Sequence, residues 1–146
     1  MGTPLDTLYK RFQTKVDEDL TNKEGLIFAL VDVAISKSYK TCRHSLIYVL
    51  DEPEYYEEEN QTNEYEGSFN DILDSDEIEL LALWMSYEWN RRRKEYLKAQ
   101  RDDIGTKDFN RLPDKVAKFK AISADMKEIK AEIDDLKNEF NTYKYS

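Results

Sequence analysis

The densest run of apolar positions lies in the middle of the chain. Between Ser75 and Arg101, Leu80, Leu81, Leu83, Trp84, Met85 and Tyr87 put apolar side chains on nearly every face of a helix. A helix that is hydrophobic all round is a buried one. Asp74 or Ser75 supplies its N-cap, because a short side-chain oxygen accepts an orphan backbone N–H there. Asp76, Glu77 and Glu79 follow, where negative charge suits the helix dipole. After Trp89 the character changes to Arg91, Arg92, Arg93, Lys94, Lys98 and Arg101. The pattern predicts one long helix, its first half core and its second half projecting into water or toward a partner.

Three further helices follow from periodicity and end signals. Thr3-Pro4-Leu5-Asp6 reads as a start, with Thr3 as the cap and Pro4 in the first helical position. Leu5, Leu8, Tyr9, Phe12 and Val16 recur on one face, which predicts an amphipathic helix of about four turns. Its basic face is small, so docking on a core is favoured over a membrane surface. Thr21 and Glu24 have capping-box spacing, and the helix they open is expected to run to about Cys42. Leu26, Ile27, Leu30, Val31, Ala34 and Ile35 form its buried stripe, a match for the Leu80–Trp89 segment.

The last helix, 113–143, carries the most regular pattern. Val116, Phe119, Ile122, Met126, Ile129, Ile133, Leu136, Phe140 and Tyr143 recur at intervals of three and four, the seam of helices packed along their length. It is expected to pair antiparallel with the 75–101 helix or with a neighbouring subunit. Gly105 is a helix stop in the left-handed conformation, Phe109 returns to the core, and Pro113 opens the last helix. The tail Tyr143-Lys144-Tyr145-Ser146 is expected to leave the helix and contact something else.

One stretch breaks the helical pattern. Leu46 to Leu50 is short, apolar and partly β-branched, a strand or an extended segment. An acidic loop, 51–70, follows it. There Glu52, Glu54, Glu57, Glu58, Glu59, Glu64 and Glu66 are interleaved with Tyr55, Tyr56 and Tyr65, and turn chemistry at Asn60–Asn63 suggests a hairpin tip. The fold class is therefore mainly α: a small bundle of about four helices, with a long acidic loop or β-hairpin inserted between helices 2 and 3. Residues 1–146 form a single domain.

Charge and chemistry narrow the function. The net charge is −9, which disfavours wrapping nucleic acid, because phosphate binding needs a surplus of Lys and Arg on the contact face. One cysteine, Cys42, leaves no internal disulfide and suits a reducing compartment. The apolar runs are too short to span a bilayer, and the first residues lack the apolar core of a signal peptide, so synthesis in the cytoplasm is expected. Cys42 and His44 invite a nucleophile or zinc reading, but no third group is evident for the first, and one Cys with one His is too few ligands for the second. The four glycines cannot build a phosphate-cradling loop, and the 71–79 window lacks the oxygen spacing of an EF-hand. No enzyme activity, cofactor or metal is expected. The residues alone lead to a soluble, acidic, mostly helical interaction protein.

Four segments, in order, resemble the head–tail connector, or neck adaptor, proteins of tailed bacteriophages, chiefly those of Gram-positive hosts. Leu8-Tyr9-Lys10-Arg11-Phe12 resembles the opening helix. Asp76 to Met85, with Tyr87-Glu88-Trp89, resembles the central one. Gly105-Thr106-Lys107-Asp108-Phe109 resembles a post-helix motif, and a long last helix ending in Tyr143-Lys144-Tyr145 completes the order. The insert Glu52–Glu66 and the basic run Arg91–Lys94 depart from that pattern.

The resemblance implies a virion structural protein: a homo-oligomeric ring, expected to be twelve-fold, between the portal protein and a tail or second neck protein. DNA would pass through its channel without specific binding, and no membrane is involved. The expected interface residues are Arg91, Arg92, Arg93 and Lys94, with Glu57, Glu58, Glu59, Tyr143 and Tyr145. The rival reading is an acidic DNA mimic that inhibits a host nuclease or repair enzyme, since interleaved Tyr and Glu suit that role as well.

Overall fold

In the computed structural model, residues 2–18, 20, 23–50 and 67–145 are described, the side chains of Glu24 and of 142–145 excepted. The elements in order are α1 (Leu5–Gln13), α2 (Glu24–Ser38), β1 (Tyr48–Leu50), β2 (Gly67–Phe69), α3 (Ser75–Ile104), α4 (Thr106–Phe109) and α5 (Pro113–Tyr145). The chain is a small helical bundle with a hairpin inserted between its second and third helices, as the hydrophobic pattern predicts.

α3 is the axis. Leu80 to Met85 are all buried on it, and α1, α2 and α5 pack around it. α5 runs antiparallel to α3: Lys115 Nζ donates to Gln100 Oε1 at 3.0 Å near one end. Farther along, Lys130 and Lys137 lie over the Trp84 ring. The long stems of these lysines cover apolar surface while their ammonium groups stay near water. Ile122, Ile133 and Phe140 of the α5 seam are buried. The basic half of α3 therefore does not project alone. Leu97 is buried, and Lys94 and Arg101 both lie over the Phe119 ring of α5.

Several helix ends differ from their sequence signals, each for a long-range reason. α1 is nine residues rather than four turns. The chain breaks off so that Lys15 can pair with Glu79 of α3 and Val16 can rest on the core. Thr14 Oγ1 donates to the Arg11 carbonyl at 2.7 Å, satisfying an orphan acceptor at that end. Thr3 is not the cap, which is Pro4. Its hydroxyl instead accepts the Leu73 N–H at 2.8 Å, tying the first residues to the approach of α3. α2 opens at Glu24, with Lys23 in the cap position; Thr21 of the expected capping box lies outside the described residues.

α5 stays helical to Tyr145, so the expectation that the tail from Tyr143 leaves the helix is corrected. Its register continues the seam without a Gly or Pro to break it. Gly105 does end α3, at φ 89° and ψ 148°. This is a positive-φ extended conformation open essentially to glycine alone, not the left-handed helical one. The turn sends Phe109 back into a buried position.

β1 and β2 pair antiparallel, with Tyr48 opposite Phe69 and Leu50 opposite Gly67. Pro4 bridges to Ser68 on the far side of β2, leaving β1 at the edge. Phe69 is buried, and the Tyr48 hydroxyl donates to Asp32 Oδ1 at 2.7 Å, tying the hairpin to α2. Gly2 is a close-approach position: a Cβ there would sit 1.5 Å from the Phe69 carbonyl oxygen. No helix of the described residues is long and apolar enough to cross a membrane.

Candidate functional site

The most organised polar cluster sits where α2, the hairpin and the first turn of α3 meet. Glu77 has no exposed surface. Its Oε1 accepts the Asp74 N–H at 2.9 Å and faces His44 Nδ1 at 2.6 Å. Its Oε2 accepts the N–H groups of Arg43 at 2.9 Å and of His44 at 3.1 Å. The Asp74–Glu77 contact is the return half of a capping box. Burial alone would raise the Glu77 pKa, but the hydrogen bonds from Asp74 and His44 outweigh it and hold the carboxyl below its usual range. The same bond to Glu77 raises the His44 pKa.

This cluster does not make Cys42 a nucleophile. Burial, then the adjacent charge of Glu77, push the thiol up to about 12. An activated thiol needs a positive neighbour that lowers its pKa. Here the third group that the sequence did not reveal is Glu77, and it acts against thiolate formation. His44, Asp74 and Glu77 also lie close enough together to be considered as metal ligands. They do not fit that role. Glu77 is saturated by its four hydrogen bonds, His44 Nδ1 faces it, and Asp74 pairs with Arg43. A cation would have to displace all of these.

The basic run follows directly on the core half of α3, whose last buried residues are Glu88, Trp89 and Asn90. Arg91 forms a two-pronged pair with buried Glu88, through Nε at 2.8 Å and Nη2 at 2.6 Å. Arg92 Nε reaches the same carboxylate at 3.2 Å. The hydrogen bond from Arg91 is the main cause of the lowered Glu88 pKa. Arg93 lies over the Trp89 ring at 5.8 Å and donates to Asn90 Oδ1 at 3.3 Å. Lys94 lies over Phe119. All four expected basic interface residues thus have contacts inside the chain, Arg91 most completely. Glu57, Glu58 and Glu59 lie outside the described residues, and Tyr143 and Tyr145 occupy the last turn of α5, their side chains outside the description.

Beside this run is a groove of about 440 Å³ between α3, the first half of α5 and Leu26 of α2. Its walls bring Lys115 and Lys118 to Arg92 and Arg93. That grouping is invisible in the linear sequence, because the lysines enter only through the antiparallel α3–α5 pairing. No family model, curated protein or solved structure matches the chain.

Proposed function

We propose that this chain is a head–tail connector protein of a tailed bacteriophage, a helical adaptor ring between portal and tail. The reading rests on the order of the four resembling segments. The structural observation that supports it is a set of exposed apolar side chains on the inserted hairpin and its approaches. Ile47, Val49 and Leu50 are exposed along β1 and its approach, and Ile72, beyond β2, is 70% exposed. β1 is also an edge strand among the described residues. Exposed apolar side chains along a strand at the edge of the described sheet are suited to burial in an assembly.

The charge distribution fits the same role. An acidic insert facing the channel would repel phosphate and let DNA slide past. A ring closed head to tail needs each subunit to present a basic surface to the next subunit's acidic one. The test is co-expression with the portal protein of the same genome, followed by electron microscopy of the purified complex. A ring stacked on the portal is the expected outcome. A small acidic monomer that ignores the portal would overturn the adaptor reading in favour of the DNA-mimic inhibitor, and capture of host nucleases or repair enzymes would then be the next test.

A further inference from the structure

We propose that the groove beside the basic run is the docking site for residues 51–66 of a second copy of this chain. The proposal deepens the adaptor reading, resting on its homo-oligomeric ring, by naming the surface that joins neighbours.

The floor of the groove is apolar, made by Leu26, Trp89, Leu97 and Ile122. Tyr96 also lines it and is 66% exposed. The rim carries Arg92, Arg93, Lys115 and Lys118, and no carboxylate contributes to the walls. In a chain of net charge −9 such a surface is an outlier. Arg92 shares Glu88 with Arg91, but Arg93, Lys115 and Lys118 have no ion pair to a carboxylate among the described residues.

An occupant that fits must be acidic, to meet the three cations that have no carboxylate among the described residues, and must offer aromatic rings, to cover the apolar floor. The segment 51–66 has both properties. It contains Glu54, Glu57, Glu58 and Glu59 around Tyr55 and Tyr56, and no Lys or Arg. Tyrosine suits such a place because its ring buries area at low entropic cost while its hydroxyl stays hydrogen-bonded. A volume of about 440 Å³ lies in the range of pockets that accept a few side chains.

The ring of the adaptor reading makes the occupant a neighbour's segment: each subunit then presents its basic groove to the acidic insert of the next, which closes the ring head to tail.

The experiment is a titration of the full chain into a fluorescein-labelled peptide of sequence 51–66, followed by anisotropy at low salt. Saturable binding is expected, weakened at least about tenfold by Lys118→Glu and by Tyr96→Ala in the protein, and by Tyr55→Ala with Tyr56→Ala in the peptide. Both protein positions are exposed, so unchanged circular dichroism and melting would confirm that folding is intact. Absence of saturable binding overturns the proposal. So does equal binding of the tyrosine-free peptide, which would leave charge alone. Displacement by an oligonucleotide at equal charge concentration would make the groove a phosphate site instead. Portal association is read separately: a peptide that binds where portal co-expression fails keeps the groove and removes the adaptor, and the reverse keeps the adaptor and removes the groove.

Discussion

Glu77 is a buried carboxylate that organises backbone from two other segments, and that makes it the most sensitive single side chain in the fold. Glu77→Ala leaves the N–H groups of Arg43, His44 and Asp74 without their acceptor. A buried charged hydrogen-bond network broken on one side costs about 3–5 kcal/mol, measurable by urea unfolding near neutral pH. The pH dependence has two limbs. Glu77 titrates below its ordinary 4.5 in the folded chain, so its stabilisation is present above that value and is lost as pH falls through the lower folded one. His44 titrates above its ordinary 6.5, so its contribution is complete below 6.5 and fades as pH rises through the raised value. His44→Gln should remove the alkaline limb of a stability-against-pH curve and shrink the acid limb without abolishing it, because the backbone N–H groups of Asp74 and His44 still hold the Glu77 carboxylate. Cys42, pushed up to about 12, should react slowly with maleimide at pH 8 in the folded chain and quickly once unfolded. The sequence places Glu77 in a first turn but does not reveal these partners, because Arg43 and His44 arrive from far along the chain. One local signal was available: Asp74 and Glu77 have capping-box spacing.

At the scale of elements, α3 and α5 are the parts most readable from the sequence. Their apolar positions recur at helical spacing over many turns, and the α5 seam needs only one partner surface to be buried. Ile133 lies fully buried in that seam. Ile133→Ala should cost about 2–5 kcal/mol by loss of packing and creation of a cavity, with a thermal melt as the measurement. Helix ends were less legible. α1 stops where Lys15 finds Glu79, and α2 stops where the following backbone turns toward Glu77. Those are long-range choices that no local cap encodes. Gly105 is an intermediate case: the stop was readable from a glycine after a long helix, but its particular conformation was not. At φ 89° and ψ 148°, Gly105→Ala should destabilise by about 1–3 kcal/mol even though nothing lies within 4 Å of the added Cβ. The cost would be in the backbone, so substitution by serine should cost about as much as alanine.

For the whole molecule, the hairpin strands have a part in the core, and the adaptor reading gives the insert 51–66 a part in assembly. The core cluster is drawn from the helices, the hairpin and its approaches, and the strands pair directly across the insert at Leu50 and Gly67. The Asn70 N–H donates to the Ile47 carbonyl while the Phe69 N–H turns away to Thr3, so the last hydrogen-bonded pair before the insert is Val49–Ser68, the kind that a two-residue Asn-Gly turn closes. Replacing 50–67 by Asn-Gly should therefore leave the helical circular dichroism intact. It should hold or raise the melting temperature, because a shorter loop costs less entropy to close. The same variant removes eight carboxylates and three tyrosines (Tyr55, Tyr56 and Tyr65), so the molecule becomes nearly neutral while the groove keeps its four cations. If the insert exists to meet a neighbour, the shortened chain should still bind added 51–66 peptide but fail to form closed rings on the portal, which negative-stain images would show as isolated subunits or gaps. Complete rings from the shortened chain would place subunit contacts elsewhere, with the exposed hairpin surface of Ile47, Val49 and Ile72 the next to be mutated.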